Sequence, residues 1–104
     1  MVNPLAGEVE IIIDGASHRC KLTLGAMAEL EAALGADSLV GLVQRFEAGK
    51  FSSRDVMALI VAGLRGGGWD GNAADLIRAD IAGGAVGAAQ AAAHLLVRAF
   101  SPPA

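Results

Sequence analysis

Residues 22–35, LTLGAMAELEAALG, change their apolar period partway along, and that change constrains the fold more than any other feature of the chain. Up to Leu24 apolar residues alternate, as in a strand with one covered face; from Gly25 they recur every three or four residues, as in a helix. Thr23 stands where a helix needs its N-cap, with a hydroxyl able to accept an orphan amide hydrogen bond from the first turn. Gly35 stands where the helix must stop, because glycine enters the left-handed C-terminal conformation without steric cost. Between them Met27, Leu30 and Leu34 share one side, while Ala28 and Ala32 form a small-residue side open to close approach. The stretch predicts a strand that runs into a short helix packed on two sides. Glu29 and Glu31, two apart on that helix, point in different directions and read as a solvated flank.

Upstream, residues 1–7 read as a loose lead-in. Val9, Ile11 and Ile13 then alternate with Glu8, Glu10 and Asp14, and Ile12 is an apolar exception. The return strand, His18 to Leu24, sets Cys20, Leu22 and Leu24 on one face and Arg19, Lys21 and Thr23 on the other. Asp14-Gly15 or Gly15-Ala16 supplies the central turn residues, which places Glu10 opposite Arg19 or Lys21. A lone hairpin is marginal in water, so its apolar face must lie on the helices.

Downstream the chain reads as helices separated by glycine stops. Asp37 or Ser38 starts the second helix, with Leu39, Leu42, Val43 and Phe46 inward and Gly49 at its end. Ser52 and Asp55 resemble a capping box and open a third helix, in which Val56 to Leu64 is apolar nearly all round. Such a helix is central to the core or covered by another subunit. Gly66 to Gly71 reads as a flexible connection. Asn72 caps a fourth helix with Asp75 at the capping-box position and Leu76, Ile77 and Ile81 as its apolar side; Gly83-Gly84 breaks the chain again. The last helix runs to about Phe100, with Val86, Ala89, Ala93, Leu96, Val97 and Phe100 on one stripe. Gly83, Gly87 and Ala91 form a small-residue ridge. The expected architecture is α+β: an N-terminal β-hairpin (8–24) packed on a bundle of about five short α-helices (25–100), with 101–104 a frayed tail. The 104 residues are expected to form a single domain.

Candidate chemistry is sparse. His18 and Cys20 project from one strand face, yet a structural zinc takes four ligands and His94 is the only other imidazole. No acid stands where it would orient either histidine as a base for Cys20, so no catalytic, cofactor or metal residues are expected. The triple glycine Gly66-Gly67-Gly68 follows a helix and precedes no lysine, unlike a phosphate loop. Eight basic residues scattered among eleven acidic ones, for a net charge of -3, argue against nucleic acid as a partner. One cysteine excludes an internal disulfide and points to a reducing cytoplasm. Val56 to Leu64 is too short for a bilayer span of about 20 residues, and Gln90 and His94 interrupt the alanine-rich stretch after it. Trp69, the only tryptophan, is either a core plug or a binding anchor.

The hairpin with its Asp14-Gly15 turn, running into LTLGAMAELEAALG, resembles the small tail assembly chaperones of gene transfer agents and related tailed phages. The resemblance continues through Ser38-Leu39-Val40, Ser52 to Val56 and Gly63 to Gly68, and covers roughly residues 7–80. It implies a non-enzymatic chaperone that binds the tape measure protein during tail assembly, with the tail tube protein as a second candidate partner; the alternative is a structural subunit of the tail itself, joined to its neighbours by the hairpin edge. Under the first reading Trp69, Val56, Leu59, Ile60 and Leu64 are the expected partner-binding residues, and the apolar third helix also points to homo-oligomerisation.

Overall fold

The computed structural model describes residues 3, 6–35 and 39–100. Two strands, β1 (Val9–Ile13) and β2 (Ala16–Cys20), are followed by α1 (Leu24–Leu34), α2 (Leu39–Glu47), α3 (Ser53–Gly66), α4 (Ala73–Leu76) and α5 (Gly84–Ala99). The α+β expectation of a hairpin and five helices holds. The capping choice for α2, Asp37 or Ser38, and the tail at 101–104 lie outside the described residues.

Asp14 and Gly15 both take positive φ, 50° and 81°, which matches the right-handed twist of the strands and closes a two-residue turn. That turn sets Glu10 opposite Arg19, and Ser17 Oγ donates to Glu10 Oε2 at 2.6 Å. Val9, Ile11 and Ile13 are buried as the alternation requires. The lead-in is not loose where it is described: the Asn3 carbonyl accepts from the Ala6 and Glu8 amides, and Asn3 N–H donates to Glu8 Oε1. An isolated bridge extends the free edge of β1, where Ile81 pairs with Ile13, with Asp14 N–H donating to Asp80 O and Ala82 N–H to Ile12 O.

Thr23 caps α1 by accepting from Ala26 N–H, and Gly35 ends it at φ 82°. Two expectations for this stretch are corrected. The strand ends at Cys20 and the helix begins at Leu24, so Leu24 is 84 % exposed instead of facing the core. The buried line on α1 is Ala26 and Leu30, with Met27 and Leu34 half-buried, while Ala28 and Ala32 are exposed; the helix packs on one side.

Helix α3 is the centre of the core. Leu59 and Leu64 are wholly covered and Ile60 nearly so, by α1 on one side and α5 on the other. Each such side chain contributes about 1.5–3 kcal/mol by leaving water. The end of α3 also receives β2: Lys21 N–H donates to the Gly63 carbonyl at 2.8 Å, satisfying one of the helix's last carbonyls. This approach depends on missing side chains. A Cβ at Gly63 would lie 2.8 Å from Leu95 Cδ1, one at Gly66 2.0 Å from the Lys21 carbonyl oxygen, and one at Gly67 1.9 Å from that of Arg19. The glycine run read as a flexible connection is, up to Gly67, a packing surface.

The second half departs most from its expected faces. Helix α4 is a single turn, with the Asn72–Asp75 capping box in place and Leu76 buried but Ile77 72 % exposed. In α5 the buried residues are Ala88, Ala91, Ala92, Leu95 and Leu96, whereas Val86, Val97 and Phe100 face outward. The reason is distance: Leu95 closes on Gly63, and only the alanine side lets two backbones come that near.

Candidate functional site

Apolar grooves flank the central helices. One, about 560 Å³, runs between α1 and α3 over Leu30, Ala33, Met57, Ala58 and Val61. Charged side chains fix its rim: Arg65 Nε donates to Glu29 Oε1 at 2.6 Å, and Arg54 Nη2 to the Ala33 carbonyl at 3.1 Å. Glu29 is therefore a strut between two helices, beyond the solvated role its spacing suggested. A second groove, about 320 Å³, lies between α3 and the α4 region over Val56, Ile60, Leu76, Ile81 and Ala88. A third, about 360 Å³, is formed by α2 and α5 over Val43, Phe46, Leu96, Val97 and Phe100. Met57 borders both of the first two. On the sheet side, Ser17 to Arg19 and Gly67 to Gly71 enclose a polar cleft of about 480 Å³ beside Trp69.

The expected partner-binding residues do not form one patch among these grooves. Val56 is half-buried and borders the second groove with Ile60, but Leu59, Ile60 and Leu64 are inside the core, 0–1 % exposed. Trp69 lies at the polar cleft, half-buried against the core, its ring so close under Gly71 that a Cβ there would lie 2.2 Å from it. Sequence reasoning missed Met57, Ala58 and Val61 as groove floor. Their signal was the same all-apolar helix, but which of its sides is covered from within depends on neighbours distant in sequence.

A clamp joins α2 to the start of α3. Arg45 Nε and Nη2 donate to the two Asp55 carboxylate oxygens, both at 3.1 Å, while Asp55 Oδ2 also accepts from Ser52 N–H and Ser52 Oγ from Asp55 N–H. Burial pushes the Asp55 carboxyl up, but the hydrogen bonds from Arg45 and the Ser52 backbone outweigh it and hold the group below the usual carboxylate range.

Cys20 is fully buried, and desolvation pushes its thiol up to about 12. At pH 8 roughly one part in ten thousand is thiolate, the nucleophilic form. Native protein is thus expected to resist iodoacetamide and to react once per chain in denaturant. Rapid alkylation of the folded protein, read by mass spectrometry, would overturn this. Among the described residues no group of three or more His, Cys, Asp or Glu is set to hold a metal ion. Nor is any helix of the described residues long and apolar enough to cross a membrane.

Residues 6–102, nearly the whole chain, match a family model described as "Phage tail tube protein, GTA-gp10". No curated protein and no solved structure matches. The family match supports the relation to gene transfer agents and phage tails and corrects the expected function: the family described is a component of the tube, the structural alternative, and not an assembly chaperone. Of the α3 residues expected to bind a partner, Leu59, Ile60 and Leu64 are covered by the fold of the same chain.

Proposed function

Since the chain belongs to the phage tail tube protein family, we propose that it is a non-enzymatic structural subunit of the tail of a phage-like particle, which works by packing against further copies of itself and against neighbouring tail proteins. The observation that carries this reading is the match over residues 6–102. The surface is in keeping with it. Subunits of a tube repeat by rotation and rise, so each needs two different complementary surfaces. Leu24 at the start of α1, Ile77 at the end of α4, and Val86 and Val97 on α5 are each more than 60 % exposed, and the grooves beside α3 and α5 offer apolar recesses. Assembly takes place in the cytoplasm of the producing cell, in keeping with the single reduced cysteine. Purified particles test the proposal: quantitative mass spectrometry should find this chain in fixed ratio to the other tail proteins. Its absence from intact tails would overturn the reading.

A further inference from the structure

The segment from Trp69 to Gly84 leaves α3, makes the single turn of α4, lies along the free edge of β1 and re-enters the fold at α5. It behaves as a strap. Its hold on the sheet is three hydrogen bonds: Asp14 N–H to Asp80 O at 2.8 Å, Ala82 N–H to Ile12 O at 3.0 Å, and Asp80 N–H to Asp14 Oδ1 at 2.9 Å. Near its start Arg65 Nη1 donates to the Gly71 carbonyl at 3.1 Å. Leu76 is its one buried apolar side chain among the described residues, Ile81 is half-buried, and Ile77 is exposed. Leu76 and Ile81 line, with Val56 and Ile60, an open apolar groove of about 320 Å³, so the inner side of the strap is only partly packed. Gly68, Gly83 and Gly84, near its two ends, have φ between 63° and 105°, backbone that glycine can also leave freely.

We propose that in the assembled tail this strap is exchanged between copies: the bridging stretch Asp80–Ala82 of one subunit pairs with the β1 edge of the next. The inference rests on the structural-subunit reading above and names the contact it would use. The occupant is a second copy of this chain because the bed is already cut to this sequence. The β1 edge at Ile12 and Asp14 offers the donor and acceptor that Asp80 and Ala82 satisfy, and Leu76 and Ile81 form one wall of the adjoining groove. Exchanging an identical element keeps every contact it made within one chain, so it costs little, and strand pairing at a sheet edge supplies register. The length suffices: anchored at both roots, the roughly 14 residues of the strap reach about 20 Å outward when extended at ~3.3 Å per residue.

Cysteines at positions 12 and 82 read the exchange directly. Both native side chains are exposed or nearly so and stand opposite each other across the ladder, where the Cα spacing of about 5.5 Å suits a disulfide. Full-length Ile12→Cys and Ala82→Cys, purified separately, mixed, concentrated and then oxidised, should give a covalent dimer whose linked peptides join position 12 of one variant to position 82 of the other. The double variant oxidised while dilute should close within one chain and lose self-association, with the midpoint concentration raised by at least about tenfold; reduction should restore wild-type behaviour, which also confirms that it folds. Absence of the crossed dimer, dimers joined only through position 12, or a locked variant that associates like wild type would each overturn the exchange. Particle composition separates the two readings. A locked variant found in tails at the wild-type ratio sinks the exchange alone, whereas absence of the wild-type chain from tails sinks the subunit reading on which it rests.

Discussion

Gly66→Ala is expected to destabilise the protein by at least about 3 kcal/mol, although helix propensity alone favours the substitution by about 1 kcal/mol. The opposing effect is steric. The new Cβ would stand 2.0 Å from the Lys21 carbonyl oxygen and 3.2 Å from Ala26 Cβ. A carbonyl cannot rotate aside as a side-chain tip can, so β2 or the end of α3 must move. Their spacing is set by the hydrogen bond from Lys21 N–H to Gly63 O, and α1 closes the third side through Ala26. Moving them opens the core around Cys20, Leu64 and Leu95, all at 0 % exposure. A loss of this size is a large part of a typical domain stability of about 5–15 kcal/mol. Gly25→Ala is the contrasting control: its Cβ would meet nothing nearer than Thr23 Oγ1 at 4.0 Å, and propensity should then make it neutral or stabilising. Urea unfolding of both variants decides the matter. If Gly66→Ala falls within about 1 kcal/mol of wild type, the close crossing of β2 over α3 is not present in solution.

What the sequence disclosed divides along the range of the interactions involved. The caps at Thr23, Ser52 and Asn72 and the Asp14-Gly15 turn depend on partners two or three residues away, and each forms as its residue types require. Hairpin faces were legible for the same reason, since alternation is a local property of β1. The inward side of α5 was legible only at Leu96. Alanine is equally at home exposed or buried, and which side is covered depends on how closely Leu95 approaches Gly63, a residue in another helix. The role of Gly66 and Gly67 was hidden too, because a glycine that frees a hinge and one that admits a carbonyl look identical in one dimension. At the candidate site, the all-apolar character of α3 was plain, but not whether its cover came from this chain or another. The fold covers Leu59, Ile60 and Leu64 itself, leaving Met57, Ala58 and Val61 as groove floor. Asp55 was recognisable as a cap; its bond to Arg45, across a helix boundary, was not.

That bond makes Asp55→Ala the second large expected effect, a loss of about 3 kcal/mol or more. The substitution removes both hydrogen bonds from Arg45 and the one from Ser52 N–H, and leaves the half-buried guanidinium without its carboxylate. It unpins α2 from α3 beside the groove that Ser52 and Ser53 border. Asp55→Asn keeps an oxygen to accept from Ser52 N–H but loses the charge, so it should fall between alanine and wild type. Acid distinguishes the charge from the shape. The folded-state carboxyl is held below its unfolded range, so the stabilisation is complete above that range, near pH 4, and is lost as pH falls through the lower folded value. The stability gap between wild type and Asp55→Asn should therefore be constant from about pH 7 to pH 5 and narrow below about pH 4, because only the wild-type group takes up a proton there. Urea midpoints at pH 7, 5 and 3 measure it. A gap that persists undiminished at pH 3 would mean that the clamp holds through geometry alone and that the charge on Asp55 contributes nothing to joining α2 and α3.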